Sequence, residues 1–434
     1  MMANFFLYMA LFLLWFMLFY HIFLMLGGYL EYLKHDKNVE KFSKNVGELP
    51  TVSILIPAHN EQMVIEDTLQ AMINLDYPKD KLEVIPVNDN SSDGTGEIVD
   101  AYAERYPFIK PLHTKPPTGG KGKSGALNQG LKHSTGEVIV VYDADNTPEP
   151  EAIYNLVLGL NNDKKAAAVV GKFRVSNATK NLLTRFINIE TLTFQWLAQA
   201  GRWHWFKMTT IPGTNFAIRR SVIEELGGWD EKAISEDTEL SFRVYNAGYH
   251  IRFFPAAITW EQEPETLKVW WNQRLRWAQG NEYVIFKFLA QIRHLNRKVR
   301  MDLFYFLFTY IFFFGGILIS HLIFILNLIF DLELLIGNVS IVLLVTGFLL
   351  FLVEVWLALS FEKGQLNIIN ALTVVLMYFL YSQMWVVLVL SASYREIKRV
   401  LLNQEVKWYK TERFDSKEAK QQLLRSEHKS SSKG

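Results

Sequence analysis

The stretch Val52-Ser-Ile-Leu-Ile-Pro-Ala-His-Asn-Glu61 is a short apolar run that ends at proline and passes directly into polar residues. Residues 61–75 follow with helical spacing. A second apolar run, Leu82-Glu-Val-Ile-Pro-Val87, leads through a cluster of turn-forming residues into helical spacing at 96–105. Strands that alternate with helices are typical of βαβ units and a mostly parallel sheet. The region therefore predicts an α/β domain.

Two more strands are predicted at 137–142 and 166–170. Polar clusters follow three of the predicted strands: His59-Asn-Glu61, Asp89 and Asp143-Ala-Asp145. Asp and Asn are ordinary turn residues, but ligands of parallel sheets bind beyond the carboxyl ends of the strands. Three clusters in equivalent places favour one site for a cation or a hydroxylated ligand.

Long apolar stretches flank this region in a chain of 434 residues whose hydrophobic fraction is 50%. Asp, Glu, Lys and Arg are absent from 5–30, 303–330, 334–353 and 364–394. About 20 apolar residues span a bilayer as a helix. We expect an amino-terminal transmembrane helix within residues 1–33 and a carboxyl-terminal transmembrane region of three segments within 303–394.

The positions of Lys and Arg predict orientation in the plasma membrane. Basic residues follow the first apolar run and precede the second, which places residues 50–285 in the cytoplasm. The polar tail at 395–434 is also basic, which favours the cytoplasm for it as well. Three full spans after residue 302 would leave the tail outside, so either one run is re-entrant or interfacial, or the charge rule fails here.

Composition excludes several classes of function. Lys and Arg number 45 against 44 Asp and Glu, a net charge of +1, which argues against a nucleic-acid partner bound through net charge. The absence of cysteine excludes disulfides, zinc fingers, iron–sulfur clusters and thiol nucleophiles.

Two short motifs suit phosphate chemistry. The two carboxylates of Asp143-Ala-Asp145 suit a hard divalent ion that also takes substrate phosphates. Lys121-Gly-Lys-Ser-Gly125 is similar to a phosphate-binding loop, but Pro117 stands where a true P-loop has glycine. The motif predicts either a basic loop near an anionic ligand, with Lys123 as the contact, or a merely solvated loop.

Two further motifs lie on predicted helices. A carboxylate of Ser235-Glu-Asp237 is either a helix cap or a general base. Gln273, Arg276 and Trp277 share one helical face and suit hydroxyls, phosphate and a sugar ring, although a Trp/Arg belt at the membrane surface is the alternative. The stretches 182–206 and 264–290 are expected to be amphipathic helices on the bilayer surface.

Six motifs occur in one order: Pro57-Ala-His-Asn-Glu61, Asn88-Asp89 with Ser91-Ser-Asp-Gly-Thr95, Gly122-Lys-Ser-Gly-Ala-Leu-Asn128, Asp143-Ala-Asp145, Ser235-Glu-Asp237 and Gln273-Arg-Leu-Arg-Trp277. Together they resemble the membrane-embedded, processive family-2 glycosyltransferases, the superfamily of cellulose, chitin and hyaluronan synthases. Pro264-Glu-Thr-Leu267 adds a likeness to the bacterial poly-N-acetylglucosamine synthase branch.

The resemblance implies a GT-A-type α/β catalytic domain at residues 50–285 with Mg²⁺ or Mn²⁺ as cofactor. The residues it assigns to the donor are Ala58, Glu61 and Asp89 for uridine, and Lys123 and Asp143 for the diphosphate. It assigns the metal to Asp145 and the catalytic acids to Asp237, the general base, and Glu236. Those it assigns to the pyrophosphate and the acceptor sugar are Gln273, Arg276, Trp277 and Asn215.

The activity that the resemblance implies is processive, inverting polymerisation of a nucleotide sugar into a β-linked exopolysaccharide, coupled to export. UDP-N-acetylglucosamine is the favoured donor and UDP-glucose the competitor. Two different functions stay open: a non-processive transfer of one sugar to a lipid phosphate, and an inactive membrane scaffold. The expected partners are the UDP-linked donor, the growing polysaccharide, the lipid bilayer and a small membrane or regulatory protein.

Overall fold

The structure is a computed structural model that describes residues 2–44, 47–330 and 337–402. The strands are β1 Val52–Ala58, β2 Leu82–Asp89, β3 Leu112–Thr114, β4 Val138–Val141, β5 Thr147–Pro148, β6 Ala166–Val175, β7 Phe216–Arg219 and β8 His250–Glu261. The helices are α1 Met2–Ser43, α2 Ile65–Ile73, α3 Thr95–Arg105, α4 Gly122–His133, α5 Ala152–Asn161, α6 Leu182–Phe194, α7 Arg202–Phe206, α8 Arg220–Glu225, α9 Glu236–Asn246, α10 Leu267–Leu289, α11 Arg297–Leu307, α12 Phe314–Phe330, α13 Gly337–Ser360, α14 Ile368–Leu376 and α15 Ser382–Leu401.

The strands of the described residues form one sheet in the order β3-β2-β1-β4-β7-β6-β8-β5. The pairs β1–β2, β1–β4, β2–β3 and β6–β8 are parallel, whereas β7 and β5 pair antiparallel with their neighbours. The prediction of an α/β domain with a mostly parallel sheet is therefore confirmed. β7 and β8 were not predicted; β7 has only four residues and leads directly into α8.

Apolar side chains of the sheet are buried on both of its faces. Along β1, Ile54 and Ile56 pack into a cluster with α2 and α5, whereas Leu55 packs on the opposite face with α4 and α9. Successive residues of a strand point to opposite faces, so a continuous apolar run is what a sheet covered on both sides requires. This burial holds the carboxyl ends of β1, β2 and β4 at one edge.

Three helical stretches are long and apolar enough to cross a membrane, by length and composition, within the described ranges: Met2–Ser43, Arg297–Asn327 and Ile368–Arg399. A shorter apolar helix covers Val345–Ser360. The apolar helices expected at both ends of the chain are therefore present. Most of the basic tail predicted at 395–434, and the start of the predicted 334–353 segment, lie outside the described residues.

The predicted amphipathic stretch at 182–206 is helical, with a π turn at Gln195–Gly201 between α6 and α7. Its tryptophans Trp196 and Trp203 are buried by protein. Glycines allow α1 to approach it closely: a Cβ on Gly28 would lie 2.1 Å from the Trp196 carbonyl oxygen. The stretch thus packs between α1 and the sheet, and its position relative to the bilayer stays a prediction.

α15 packs beside α10 and runs in the same direction. At the start of α10, the Trp270 indole donates a hydrogen bond to the Tyr381 hydroxyl (2.8 Å). Near its end, the Ser393 hydroxyl donates to Glu282 (2.5 Å). α10 itself ends on the catalytic domain, where Lys287 pairs with Asp230 at 2.7 Å. The last apolar helix therefore follows the surface of the catalytic domain over most of the length of α10.

Candidate active site

A cavity of about 540 Å³ opens at the carboxyl ends of β1, β2 and β4. Its walls also include the amino-terminal turns of α4 and α9 and one face of α10. The predicted site residues that line it are Ala58, Glu61, Asp89, Lys123, Asp143, Asp145, Glu236, Asp237, Gln273, Arg276 and Trp277. The tertiary structure thus brings together side chains that are up to 219 positions apart in the chain, and the role of each one stays a prediction.

Asn215 is the exception, because it does not line the cavity; its predicted contact with the acceptor stays a prediction. Asn215 is fully buried and does not line the cavity. Its side-chain amide donates to the carbonyls of Lys172 (2.9 Å) and Ala257 (3.0 Å) and accepts from the Tyr142 hydroxyl (3.0 Å). These bonds tie the start of β7 to its neighbours, and the adjacent Thr214 lines the cavity.

Asp89 holds the loop that covers one side of the cavity. The carboxylate is buried and accepts hydrogen bonds from the Thr114 hydroxyl (2.6 Å) and the Gly120 backbone N–H (2.7 Å). The His59 ring lies 2.7 Å from the Asp89 carbonyl oxygen. Asp89 therefore connects the ends of β1, β2 and β3, and its position depends on the parallel register of these strands.

Lys123 lies at the centre of the cavity, in the first turn of α4. Its Nζ is 2.6 Å from Asp143 and 3.6 Å from Glu236, and it donates to the Gly213 carbonyl at 2.9 Å. Burial lowers the pKa of Lys123, but the carboxylates of Asp143 and Glu236 outweigh burial and raise it overall. Protein partners therefore surround the ammonium group, which argues against a merely solvated loop.

The cavity has a surplus of negative charge. Its eight carboxylates are Glu61, Asp89, Asp143, Asp145, Glu236, Asp237, Glu261 and Glu263, whereas Lys123 and Arg276 are the Lys and Arg side chains among the described lining residues. Burial, followed by the charges of Glu263, Asp145 and Asp143, raises the pKa of Glu261 well above its usual range. Such a surplus of oxygen ligands fits a hard divalent cation.

The described ranges contain no group of three or more His, Asp or Glu side chains arranged to hold a metal. Mg²⁺ is commonly bound by one or two carboxylates together with substrate phosphates rather than by an all-protein cage. Asp143 and Asp145 meet this requirement, because both carboxylates line the cavity. The Lys123 ammonium group, which would face the substrate phosphates, lies beside Asp143. The residues present therefore fit Mg²⁺ or Mn²⁺.

Asp237 lies at the start of α9, where Ser235 occupies the N-cap position without a side-chain cap bond. The carboxylate lies close to Gly213, where an added Cβ would be 2.9 Å from the Asp237 oxygen. Burial first, and then the charge of Glu236, raises the pKa of Asp237 to about 7, against the opposing charges of Lys123 and Arg276. A carboxyl group with this pKa is suited to accept a proton near neutral pH.

Gln273, Arg276 and Trp277 line the cavity from one face of α10, so they do not form a belt facing lipid. Arg274, which sequence reasoning missed, is fully buried beneath them, and its guanidinium lies 4.0 Å from the centre of the Trp277 ring. Glu190, at 2.9 Å, holds this guanidinium in place. The indole is therefore supported on one side by a fixed cation–π contact.

The acidic end of β8 was also missed as part of the site. Glu261 and Glu263 reach the cavity, although only the following Pro264-Glu-Thr-Leu267 entered the sequence argument. The run Glu261-Gln-Glu-Pro-Glu265 is an acidic cluster at a strand end, and that was the available signal. It was not recognised because β8 itself was not predicted.

The fold is that of a GT-A-like glycosyltransferase domain. The family described as "Glycosyltransferase like family 2" matches residues 50–280. The chain is 62% identical over 415 residues to the probable glycosyltransferase YdaM of Bacillus subtilis (strain 168), with 95% of this chain and 99% of that protein covered. The protein belongs to glycosyltransferase family 2, as the motifs predicted.

Two more distant matches are a curated relative and a solved structure. Poly-beta-1,6-N-acetyl-D-glucosamine synthase of Staphylococcus aureus (strain COL) is 32% identical over 279 residues, which cover 64% of this chain and 66% of the synthase. Among solved structures, the mannosyltransferase PcManGT of Pyrobaculum calidifontis, in complex with GDP-Man and Mn²⁺, superposes with a TM-score of 0.57 at 22% identity, covering 88% of this chain and 98% of that one. The latter likeness supports the fold.

Proposed function

We propose that this protein is a processive, inverting glycosyltransferase that polymerises UDP-N-acetylglucosamine into a β-linked exopolysaccharide at the cytoplasmic face of the plasma membrane. The observation that carries the proposal is the meeting of Asp237, Lys123 and Trp277 in one cavity. They offer a base for the acceptor hydroxyl, a cation for the leaving diphosphate and an aromatic face for a sugar. The distant likeness to the staphylococcal synthase supports N-acetylglucosamine as the sugar.

The donor half of the site comprises the ends of β1, β2 and β4. Ala58, Glu61 and Asp89 hold the uridine, and Lys123 with Arg276 neutralises the charge that develops on the diphosphate. Asp145 would hold Mg²⁺ or Mn²⁺, with Asp143 beside it at the diphosphate, and the metal would supply further charge stabilisation to the leaving group. The mannosyltransferase with the similar fold was solved with Mn²⁺ and a nucleotide sugar.

In the acceptor half, Asp237 removes the proton of the acceptor hydroxyl as its oxygen attacks the anomeric carbon. The bond from that carbon to the diphosphate oxygen breaks in the same displacement, the electron pair leaves with the diphosphate, and the proton stays on Asp237. A single displacement inverts the anomeric centre, so an α-linked donor gives a β-linkage. The pKa of about 7 makes the Asp237 carboxylate available for this step at cellular pH.

Trp277 stacks on the terminal sugar of the acceptor. It is 37% exposed in the cavity, and Arg274 supports it from the buried side. Stacking of this kind holds the growing end after each transfer, which favours repeated addition to the same chain. Gln273 and Arg276, on the same face of α10, bind the acceptor hydroxyls and the pyrophosphate.

We propose further that α14 and α15 lie along the membrane interface. The contacts of α15 with α10 at both Trp270 and Glu282 support this arrangement, since α10 ends on the catalytic domain. The start of α14 also contacts the domain, where Arg185 donates to Asn370 at 3.3 Å. With α1, α11–α12 and α13 as spans, the catalytic domain and the basic tail both lie in the cytoplasm. Only two spans then follow residue 302, so the basic tail agrees with the charge rule.

The test is to incubate membranes that contain the full chain with labelled UDP-N-acetylglucosamine, UDP-glucose and GDP-mannose, and to digest the products with linkage-specific glycosidases. We expect a β-linked N-acetylglucosamine polymer, abolished by a chelator and restored by Mg²⁺ or Mn²⁺. A product with one sugar on a lipid phosphate would make the protein a non-processive transferase, and a glucan would make UDP-glucose the donor; either would overturn the proposal.

Two variants with matched controls assign the roles. Asp237→Asn should lower transfer by about 10²–10⁴-fold while donor binding persists, whereas Asp100→Asn, at an exposed carboxylate of α3, should leave transfer unchanged. Trp277→Ala should shorten the polymer, whereas Trp271→Ala removes an indole of the same helix outside the cavity. Full transfer by Asp237→Asn would remove that residue as the base.

A further inference from the structure

A second cavity, of about 340 Å³, lies between α1, α7 and α11, away from the active site. Its walls are mainly aromatic and include Phe16, Tyr20, Tyr305 and Phe308. α1 and α11 both belong to candidate membrane spans. The cavity therefore lies where two such spans meet the catalytic domain through α7.

The cavity contains a buried ion pair, Arg202 and Asp302, which are 3% and 2% exposed. The Arg202 guanidinium donates to one Asp302 oxygen and to the Thr210 hydroxyl (3.0 Å), and it stacks on the Tyr305 ring at 4.6 Å. The positive and negative charges of the pair cancel. A further cation in the cavity would leave a net buried charge, which is costly.

The second oxygen of Asp302, Oδ2, is buried and accepts no hydrogen bond from any residue that the structure describes. A buried acceptor without a donor is unfavourable, and a carboxylate oxygen more so than a neutral one. Because the ion pair is already neutral, a hydroxyl group is the donor that would satisfy this oxygen without adding charge.

The mouth of the cavity has exposed apolar side chains. Phe16, Met301 and Phe304 line the cavity and are 45%, 41% and 54% exposed. The start of α11, which forms one wall of the cavity, carries the exposed cations Arg297, Lys298 and Arg300. An apolar mouth beside a basic helix start fits an amphiphile that has acyl chains and an anionic group.

We propose that this cavity binds the headgroup of a membrane phospholipid that carries a free hydroxyl. The hydroxyl donates to Asp302 Oδ2, the phosphate lies near the basic start of α11, and the acyl chains pack on Phe16 and Phe304. Such a lipid would join α1, α11 and the catalytic domain at one point. The site is separate from the sugar-transfer cavity and does not depend on the proposed function.

The test compares three lipids in nanodiscs that contain the full chain. Phosphatidylglycerol has a hydroxyl headgroup, phosphatidylethanolamine an ammonium headgroup, and phosphatidylcholine neither an O–H nor an N–H donor. Native mass spectrometry should show phosphatidylglycerol retained about tenfold over phosphatidylcholine at equal bulk fraction, the value of about one hydrogen bond to a charged group. If phosphatidylethanolamine is retained as strongly as phosphatidylglycerol, the inference that the cavity prefers a neutral hydroxyl donor is overturned.

Two variants distinguish lipid bound in the cavity from lipid that contacts the helices in general. Asp302→Asn leaves Arg202 unpaired and is prone to misfold, so Met301→Trp, which fills the mouth from a partly exposed position, is the main variant. It should abolish the preference for phosphatidylglycerol. Leu318→Trp is the matched control, since Leu318 lies on the same long helix, is 42% exposed and does not line the cavity. Equal retention by Met301→Trp and the unsubstituted protein would overturn the proposal.

Discussion

At the scale of single residues, the adjacent acids Asp237 and Glu236 have different surroundings, and we propose different tasks for them. Glu236 lies 3.6 Å from Lys123 and stays close to that cation. Asp237 is buried, and the charge of Glu236 adds to the rise of its pKa to about 7. We therefore propose that Glu236 raises the proton affinity of Asp237 rather than acting as a second base.

This division of tasks predicts a pH dependence. Asp237 must be deprotonated to act as a base, and its deprotonated fraction rises with pH through about 7. We expect kcat/KM for sugar transfer to fall about tenfold for each pH unit below that midpoint. Glu236→Gln removes a negative charge that favours the protonated form, so it should move the midpoint to lower pH. Initial rates of both proteins between pH 5 and about 9 give the midpoint of each pH profile. A midpoint that does not move in Glu236→Gln would contradict this role of Glu236.

At the scale of elements, α10 links the active site to the apolar helices. Its cavity-facing side carries Trp277, and its buried side carries Arg274, which Glu190 holds. Tyr381, in the π turn between α14 and α15, donates a hydrogen bond to Glu190 at 2.9 Å and accepts one from Trp270. A chain of buried polar contacts thus connects the last apolar helix to the indole in the cavity.

This chain predicts that Tyr381→Phe weakens acceptor binding without touching the cavity. Loss of one buried hydroxyl removes about 0.5–1.5 kcal/mol of hydrogen bonding, or roughly 3–10-fold in affinity. We expect shorter polymer and a higher KM for an oligosaccharide acceptor, with KM for the donor unchanged. Tyr378→Phe is the control, because that ring packs on Phe348 and Phe351 one turn earlier. Equal effects on donor and acceptor would point to a general structural role.

The contact between α1 and the π turn gives a second prediction for an element. Gly28→Ala would place a Cβ 2.1 Å from the Trp196 carbonyl oxygen, so the helices must separate. Overpacking of this kind costs about 1–3 kcal/mol. The unfolding temperature in detergent should fall, whereas Gly315→Ala, with nothing within 4 Å of its added Cβ, should not lower it. Equal unfolding temperatures would show that α1 is not held by this contact.

At the scale of the whole molecule, the apolar helices surround one side of the catalytic domain. α1 packs on the π turn, and Glu362, just after α13, pairs with Lys172 at 2.6 Å and with Arg174 at 3.0 Å. The ends of α1 and α13 that meet the domain are therefore on one side of any membrane that these helices cross. The same holds for the start of α11, where the Asn296 backbone N–H donates to the Asn246 side chain of α9 at 3.1 Å.

This arrangement predicts which side of the membrane each end of the chain occupies. The chain has no cysteine, so single cysteines are clean reporters. Lys363→Cys and Lys398→Cys, at exposed positions after α13 and within α15, should react with an impermeant maleimide only after the cells are permeabilised. Met2→Cys, at the other end of α1, should react in intact cells. Labelling of Lys398→Cys in intact cells would make α14–α15 a full span.

Local sequence patterns were sufficient to predict the α/β domain, the apolar helices and most of the residues that line the cavity. The strands β1, β2, β4 and β6 are apolar runs with turn residues at their ends, and chain order places those ends at one edge of a parallel sheet. Asp89 and Asp143 could therefore be assigned to one site, whereas Asp237, at the start of α9, was assigned through the resemblance of its motif.

Other features depend on side chains that meet from distant parts of the chain. Asn215 has an amide that suits a sugar equally well, but the neighbouring backbones of β6 and β8 occupy it. Arg274 looks like any cation of an amphipathic helix until Glu190 and Trp277 enclose it. The stretch Ile368–Arg399, which includes α15, has the length and composition of a membrane span, and only the tertiary structure reveals the contact of α15 with α10. Hydropathy and spacing describe one segment at a time, whereas burial and pairing are properties of the surfaces that segments form together.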